Sequence, residues 1–415
     1  MLKYYVRIKF IKINIDKNQK VNLFSLPFNF YGNNYEKGEI YKMLGLYIHI
    51  PFCIQKCKYC DFNSYKVNRE EKERFLSDLN KEIELYSDKN RKIDTVFFGG
   101  GTPSILTNEE MKNIIDKIKS SFLIDDNAEI SMECNPGTLN QDKLKFMKSL
   151  GINRLSIGLQ AVQDNLLSFI GRIHNYEQFE KNYFEARKAG FENINIDLMY
   201  NLPYQTFENW KDTLNKIVSL NPEHISAYSL ILEEGTKLYD MYQNKEFEIA
   251  DEDEDIKMYE YTIDYLKSNG YNQYEISNYS KSGYECKHNI LYWKCKNYIG
   301  LGPGASGYIN DIRYNNETSL DEYHEKILKN EKPIEYFEKL TLKDEIEEKI
   351  IMGLRMNEGL EFEDFKDFGI DFESKYKTQI KNQLELGLIV KTEKGIKFTQ
   401  KGREISNNIF LDYID

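Results

Sequence analysis

Cysteine, proline and long apolar runs are all scarce in this chain of 415 residues. It has 6 Cys, 8 Pro and 24 Gly, which excludes a disulfide-stapled scaffold and a collagen-like or low-complexity chain. No uncharged apolar run reaches the length of about 18 residues that a transmembrane helix needs. With 41% hydrophobic residues, the composition is typical of an ordinary globular protein of two or three domains.

An excess of positive charge is also lacking. The chain has 56 Lys and Arg against 67 Asp and Glu, a net charge of −11, so its surface as a whole repels nucleic acid and anionic membranes. The first residues lack both the apolar core and the small-residue cleavage site of a secretory signal. We therefore predict a cytoplasmic protein that does not bind nucleic acid.

Residues 1–43 are predicted to be an N-terminal extension. Eight Lys or Arg against three Asp or Glu make residues 1–42 basic. A real arm and a start site upstream of the native one both explain this segment, and Met43, directly before the first clear strand, favours the second. As a basic arm, the segment would be a candidate for transient membrane contact.

Short β-branched or aromatic runs alternate with helical stretches from Leu46 to about Leu232. The predicted strands cover residues 46–50, 94–100, 128–135, 154–160, 193–200 and 224–232. The predicted helices cover residues 71–86, 108–122, 141–150, 176–190 and 208–220, with N-caps at Thr107 and Asn140 and C-terminal glycines at 151 and 190. Strict alternation forces parallel pairing, so residues 44–235 are predicted to form an α/β partial (β/α)6 TIM-like barrel.

The remaining chain is predicted to hold a linking region, residues 236–335, and a winged-helix-like α+β domain, residues 336–415. The latter has helices around 342–357 and 372–387 and ends with two strands around a turn at Lys394-Gly395. Because residues 341–415 carry a net charge of −4, a packing role is favoured over DNA binding.

Three of the cysteines, Cys53, Cys57 and Cys60, crowd onto one loop after the first predicted strand. Three thiolates can bind three irons of a cubane cluster and leave the fourth iron open. The alternatives are a structural zinc ion, which would need a distant fourth ligand such as Cys134, and three buried thiols. The loop lies at the carboxyl end of a barrel strand, where such barrels carry their chemistry.

At these residues the chain resembles the radical S-adenosylmethionine (SAM) superfamily. The resemblance covers about residues 44–400, and its motifs recur in order at predicted strand ends: LYIHIPFCIQKCKYCDF, FFGGGTPS, MECNPGT, IGLQ, GRIH and NIDLMYNLP. More narrowly, these motifs are similar to the branch that contains oxygen-independent coproporphyrinogen III oxidases and HemW-type haem chaperones.

The resemblance implies that Cys53, Cys57 and Cys60 hold a [4Fe-4S] cluster whose open iron binds SAM. It further implies a set of cofactor-contacting residues: Tyr47, Tyr59, Gly100, Gly101, Thr102, Glu133, Gln160, Arg172 and Asp197. Gly100 and Gly101 are expected to let the backbone approach the cofactor where a Cβ would block it. His49 is expected to support the loop and not to bind metal.

Two features separate the members of this branch. The oxidase has a further cysteine two residues after the third ligand, where this chain has Phe62. The segment from His288 to Trp293 matches the HNxxYW motif of the haem chaperone, which implies haem contacts by His288, Asn289, Tyr292 and Trp293. An imidazole is a good axial ligand and aromatic rings suit a porphyrin face. The alternatives are a packed interdomain contact at His288 and a thiolate ligand from Cys286 or Cys295.

The resemblance therefore predicts a haem chaperone that passes haem to apo-haemoproteins such as respiratory cytochromes. Its cofactors would be the [4Fe-4S] cluster and SAM, with haem as the bound cargo. The alternative function is that of an oxygen-independent coproporphyrinogen III oxidase. The resemblance leaves open whether SAM is cleaved and whether the chain forms a homodimer.

Overall fold

The computed structural model describes residues 43–414. The predictions made for residues 1–42 lie outside the described residues. From Met43 onward the chain forms one compact unit. Within residues 43–414 no helix is long and apolar enough to cross a membrane.

Strands and helices of this unit are numbered here in chain order. The strands are β1 (Leu44–Ile50), β2 (Phe52–Cys53), β3 (Tyr65–Lys66), β4 (Asp88–Gly100), β5 (Phe122–Cys134), β6 (Arg154–Gln160), β7 (Ile194–Tyr200), β8 (His224–Ser229), β9 (Asn272–Gln273), β10 (Asn278–Ser280), β11 (Asn297–Leu301), β12 (Ser306–Ile309), β13 (Ile312–Asn316), β14 (Ile334–Lys339), β15 (Leu360–Glu361), β16 (Ile389–Lys391) and β17 (Gly395–Phe398). The α-helices are α1 (Arg69–Leu85), α2 (Asn108–Ser121), α3 (Gln141–Ser149), α4 (Asp164–Phe169), α5 (Tyr176–Lys188), α6 (Phe207–Leu220), α7 (Lys237–Gln243), α8 (Glu252–Ser268), α9 (Lys287–Trp293), α10 (Leu320–Leu328), α11 (Leu342–Arg355), α12 (Phe372–Lys375), α13 (Lys377–Glu385), α14 (Gln400–Glu404) and α15 (Ser406–Phe410).

Six parallel strands, in the order β1-β4-β5-β6-β7-β8, form the barrel sheet. Helices connect β4, β5, β6, β7 and β8 in sequence, so the predicted partial (β/α)6 barrel is confirmed. On one side β11 pairs parallel with β1 and is followed by β12, β13 and β14; on the other, β10 and β9 follow β8. The segment predicted as a linking region therefore adds strands to both edges of the barrel sheet.

The two faces of the barrel sheet differ in polarity. On the outer face Val96 and Phe98 of β4 lie against Ile115 and Ile118 of α2, as expected for an amphipathic helix that covers a sheet. The inner face instead carries polar side chains at alternate positions, among them Ser131, Arg154, Ser156, Asn195 and Asp197. Such a face must satisfy its polar groups internally, because an unpaired buried polar group is costly.

Local capping signals explain why the barrel helices begin and end where they do. The Thr107 side chain accepts a hydrogen bond from the Glu110 amide while the Glu110 side chain reaches back to Thr107, and Asn140 caps α3 at Lys143. Gly151 and Gly190 adopt φ values of 98° and 90° after their helices, which glycine tolerates best. The predicted caps are confirmed.

Some predicted bounds are wrong. Strands β4 and β5 begin at Asp88 and Phe122, six residues earlier than predicted, because Asp88, Lys92 and Ile93 of β4 pair with Phe122, Leu123 and Ile124 of β5. Strand β8 ends at Ser229 and not at 232. The helix predicted over 372–387 is interrupted at Tyr376 and becomes α12 and α13.

The C-terminal segment has the predicted winged-helix-like composition of helices and a small sheet. Strands β16 and β17 form an antiparallel hairpin, and β15 adds a third strand in the order β15-β17-β16. The turn between β16 and β17 is held by the Thr392 hydroxyl, which accepts a hydrogen bond from the Gly395 amide over 2.9 Å.

Candidate functional site

The cysteine loop follows β1 at the carboxyl end of the barrel strands. Cys53 ends β2, which pairs with β3, so the loop closes on itself at its base. The Val67 amide donates to the Cys53 carbonyl over 2.9 Å, and the Cys60 amide donates to the Cys57 carbonyl over 3.2 Å. All three cysteines are free thiols. Local hydrogen bonds thus hold three sulfur atoms on one short, ordered loop.

Two neighbouring loops brace the cysteine loop. The Thr102 amide, after β4, donates to the Phe52 carbonyl over 2.8 Å, and the Lys58 amide donates to the Ile170 carbonyl over 2.9 Å. The Thr102 hydroxyl donates to Cys53 Sγ over 3.4 Å. Thr102, a predicted cofactor residue, is therefore in direct contact with a predicted cluster ligand.

Arg172 brings a positive charge to the cysteine loop. Its Nη1 donates to Cys57 Sγ over 3.5 Å, and its Nη2 donates to the Gly158 carbonyl and to Asn135 Oδ1. Tyr59 lies beside it: burial raises the pKa of this phenol, and Arg172 opposes that shift. The structure thus places Tyr59, Arg172 and Cys57 together.

The donor set fits a cubane cluster. Burial raises the pKa of the Cys53 thiol and raises that of Cys60 to about 11, so a thiolate at either position needs a cation beside it. Iron would meet that need, with Cys53, Cys57 and Cys60 each binding a different iron. Across residues 43–414 no three His, Cys, Asp or Glu side chains are arranged to hold a single metal ion.

Gly100 and Gly101 are packed against the chain itself. A Cβ at Gly100, whose φ is 112°, would lie 2.7 Å from the His49 ring, and one at Gly101 would lie 2.6 Å from the Phe52 carbonyl oxygen. Close packing within the protein therefore requires glycine at both positions, in addition to the reason inferred from the sequence. Their contact with SAM stays a prediction.

Four further predicted residues converge on the inner face of the barrel near its mouth. Glu133 accepts a hydrogen bond from the Gly100 amide over 3.1 Å, and burial and the nearby Asp197 raise its pKa to about 8. Tyr47 is electrostatically coupled to Glu133, and Gln160 accepts from the Tyr228 hydroxyl over 3.0 Å. Carboxyl, amide and phenol groups thus face one another above the cysteine loop's base.

His49 has the supporting role that the sequence predicted. Its Nδ1 hydrogen-bonds with the Tyr47 hydroxyl over 3.0 Å, and its Nε2 with the Asn63 carbonyl of the cysteine loop over 2.8 Å. Since the ring is 4% exposed and both nitrogens are engaged, it ties β1 to the loop.

The HNxxYW residues lie at the opposite end of the barrel strands. They form α9, which rests against Gly45 near the start of β1 and Thr95 within β4: the space beside Gly45 is filled by Thr95 and by His288. His288 is fully buried, and its Nδ1 and Nε2 hydrogen-bond with Thr95 Oγ1 and Tyr292 Oη, each over 2.7 Å. Its ring also stacks on Phe97 with centroids 5.2 Å apart.

In this arrangement neither nitrogen of His288 is open to a haem iron, so haem ligation would require α9 to move. Trp293 is 6% exposed, while Asn289 and Tyr292 are half-buried on the same helix. Cys286 is fully buried, and Cys295 follows α9 with a φ of 49°. The haem assignment of this motif stays a prediction, and the structure does not bring it to the cysteine loop.

Sequence reasoning missed the residues that hold α9 in place. Glu129 of β5 accepts hydrogen bonds from the backbone amides of Lys287 and His288 over 3.1 and 3.2 Å, and the buried Arg154 is electrostatically coupled to it. The signal was present in the sequence: polar residues alternate along strands that are otherwise apolar. Without the tertiary contacts, however, that alternation does not identify the partner.

Comparison with known proteins gives the chain its family. The profile described as the Radical SAM superfamily matches residues 47–217, and that of the HemN C-terminal domain matches residues 340–405. The chain is 36% identical to the haem chaperone HemW of Bacillus subtilis (strain 168) over 372 residues, 89% of this chain and 98% of that protein. The chain belongs to the HemW family of radical SAM proteins.

Two further comparisons agree with this family. The haem chaperone HemW of Lactococcus lactis subsp. lactis (strain IL1403) is 37% identical, over 89% of this chain and 96% of that protein. Among solved structures, coproporphyrinogen III oxidase (HemN) from Escherichia coli superimposes with a TM-score of 0.78 and 24% identity, covering 90% of each chain. This last likeness shows that the HemW-family chain shares the fold of that radical SAM enzyme.

Proposed function

We propose that this protein is a haem chaperone that binds haem and transfers it to apo-haemoproteins such as respiratory cytochromes. The observation that carries this proposal is the match, over 89% of the chain, to relatives named haem chaperone HemW. The cofactors follow from the site: three free thiols on one braced loop, beneath a cluster of polar side chains.

In this proposal Cys53, Cys57 and Cys60 hold a [4Fe-4S] cluster, and the polar groups at the barrel mouth hold SAM. When bound, the cluster would supply an electron to SAM. The residues around it have separate tasks. Thr102 and Arg172 would stabilise the sulfur ligands by hydrogen bonds, and Glu133, whose pKa is raised to about 8, would be available to bind the cofactor's amino group.

The alternative, an oxygen-independent coproporphyrinogen III oxidase, is disfavoured by Phe62. This residue stands where the oxidase has a further cysteine, and it is 49% exposed on the rim of the cysteine loop. A phenyl ring cannot supply the thiol of a cysteine, so chemistry that depends on a sulfur atom there is not available to this chain.

The test is to offer anaerobically reconstituted protein haem and coproporphyrinogen III in parallel. We expect uptake of about one haem per chain, its transfer to an apo-cytochrome, and no formation of protoporphyrinogen IX. A Cys53→Ala/Cys57→Ala/Cys60→Ala variant is the control for the role of the cluster. Turnover of the porphyrinogen, or absence of haem uptake by the wild-type protein, would contradict the proposed function.

A further inference from the structure

Asn63 lies in the cysteine loop between two residues that contact predicted cluster ligands. Burial raises the pKa of the Cys60 thiol, and a hydrogen bond donated by the Phe62 amide opposes that rise. Burial also raises the pKa of the Cys53 thiol, and a hydrogen bond from the Ser64 hydroxyl opposes it. The backbone of residues 62–64 therefore positions donors to two of the sulfur ligands.

The Asn63 side chain ties this segment to a distant part of the chain. Its Nδ2 donates to the Pro303 carbonyl and to the Thr318 carbonyl, each over 3.0 Å. The Thr318 carbonyl also accepts from the Tyr65 hydroxyl over 2.6 Å, and the Asn63 carbonyl hydrogen-bonds with His49 Nε2 over 2.8 Å. We call the Asn63 amide together with the Pro303 and Thr318 carbonyls the Asn63 joint.

The two acceptor carbonyls of the joint are themselves held in place. The Gly304 amide donates to the Glu317 carbonyl over 2.8 Å, which joins the two segments that carry the acceptors. The buried Glu82 of α1 accepts from the Gly302 amide and from Asn316 Nδ2, each over 2.7 Å. Segments next to the added edge strands β11 and β13 thus present two fixed carbonyls to the cysteine loop.

Gly304 allows the close approach on which the joint depends. Its φ is 76°, and a Cβ at this position would lie 2.7 Å from Asn63 Nδ2. A methyl group there would displace the Asn63 amide from its two acceptors, because the space is already filled. The joint can therefore be weakened from either side, at Asn63 or at Gly304.

We propose that Asn63 is a positioning residue for the [4Fe-4S] cluster, because it fixes residues 62–64 where Phe62 and Ser64 donate hydrogen bonds to the sulfur ligands. This inference rests on the proposed function, of which the cluster is a part. Hydrogen bonds to ligand sulfurs stabilise the more negative, reduced cluster and so raise its reduction potential. Loss of the joint makes the cluster harder to reduce and easier to lose.

The experiment uses full-length protein that is reconstituted anaerobically with iron and sulfide. Electron paramagnetic resonance during a reductive titration gives the midpoint potential of the cluster, and optical absorption follows the release of iron to a chelator. Asn63→Ala should have a more negative potential and should release iron about tenfold faster than wild type. Asn63→Asp keeps the size of the side chain but removes both donor hydrogens, so we expect changes in the same direction.

Asn68→Ala is the matched control. The Asn68 side chain accepts hydrogen bonds from the Glu70 and Glu71 amides and caps α1. Its removal should lower the unfolding temperature of the apo-protein, because a helix cap is lost. Since the Asn63 joint stays intact, the cluster potential and the rate of iron release should remain at the wild-type values.

Gly304→Ala tests the joint from the opposite side. It leaves the sequence of the cysteine loop unchanged, while its methyl group displaces the Asn63 amide. The potential should become more negative, as in Asn63→Ala. A wild-type potential in Gly304→Ala would contradict the proposed role of the joint.

The outcomes distinguish this inference from the proposed function. A wild-type protein that holds a cluster, with the same potential and iron release in Asn63→Ala, overturns the inference and leaves the proposed function standing. Equal changes in Asn63→Ala and Asn68→Ala also overturn it, because they would reflect stability alone. A wild-type protein that takes up no cluster overturns both the inference and the cluster of the proposed function.

Discussion

The two ends of the barrel differ in how their polar and aromatic residues are placed. The mouth is the carboxyl end of the strands, which carries the cysteine loop, and the floor is the opposite end, which α9 closes. At the mouth, thiols, carboxyl groups and aromatic rings lie on loops, and the backbone adopts positive φ at Gln160 (78°), Asn201 (58°) and Tyr204 (66°). At the floor, Glu129, Thr95 and His288 are at most 6% exposed, and hydrogen bonds join Glu129 and Thr95 to α9. The floor is thus a closed part of the fold, whereas the mouth carries the residues that are predicted to bind the cofactors.

The largest effect is expected from the mouth. Cys57→Ser removes one sulfur ligand, so the reconstituted protein should lose most of its content of about four irons per chain, because the cluster needs all three thiolates. Iron and sulfide analysis of anaerobic samples measures this.

Cys134→Ser is the control for that loss. Cys134 is 4% exposed at the end of β5 and is the residue that a zinc site would recruit. Equal iron loss in both variants, or zinc in place of iron in the wild type, would contradict the assignment of a cluster to Cys53, Cys57 and Cys60.

A smaller effect, on stability and not on the cofactor, is expected from the floor. Glu129→Ala leaves the amides of Lys287 and His288 without their acceptor and removes one of the two carboxylates, Glu129 and Asp197, that act on the buried Arg154. We expect the free energy of unfolding to fall by about 3 kcal/mol. Urea unfolding of the apo-protein measures it.

Glu129→Gln should cost less, because its carbonyl oxygen can still accept one of these bonds. The iron content after reconstitution should remain at the wild-type level in both floor variants. A variant that folds with full stability, or one that loses iron but not stability, would show that the floor is not the closed unit described above.

Per pH unit, the smallest effect is that of pH itself, and it returns to the mouth. Burial, with a contribution from Asp197, raises the pKa of Glu133 from 4.5 to about 8, so between these values the folded apo-protein binds more protons than the unfolded chain. Its free energy of unfolding should therefore decrease as pH rises through this window, by at most about 1.4 kcal/mol per pH unit.

In Glu133→Gln, which does not titrate, this part of the slope should vanish. Unfolding of the apo-protein at intervals between pH 5 and pH 8 gives the comparison. Identical slopes in wild type and variant would contradict the raised pKa and, with it, the enclosed character of the mouth.

Much of the fold could be predicted because its signals are local. Strand β6 was predicted at its observed bounds, Arg154–Gln160, because a short apolar run between a helix end and a turn rarely forms anything other than a strand. The early starts of β4 and β5 could not be predicted, because their first residues form strands through pairing between segments that are distant in the chain. The predicted helix over 372–387 also missed the interruption at Tyr376.

For the candidate site, too, prediction succeeded where the signal is local and failed where it depends on contacts between distant segments. The mouth residues were found through motifs, and the structure brings Tyr47, Glu133 and Asp197 onto one face of the barrel. A packed contact at His288 was one of the alternatives, but its partner was not foreseeable, since Thr95 lies 193 positions away in the chain.

The sequence by itself determined that three cysteines share one loop and that the strands and helices alternate, because spacing and periodicity act over a few residues. Only the tertiary structure decided which polar groups are satisfied and which remain open to a ligand. The physical reason is that hydrogen bonds such as that between Thr95 and His288, and ring contacts such as that between Phe169 and Tyr204, join distant segments. Their pairing is chosen by the packing of the whole barrel.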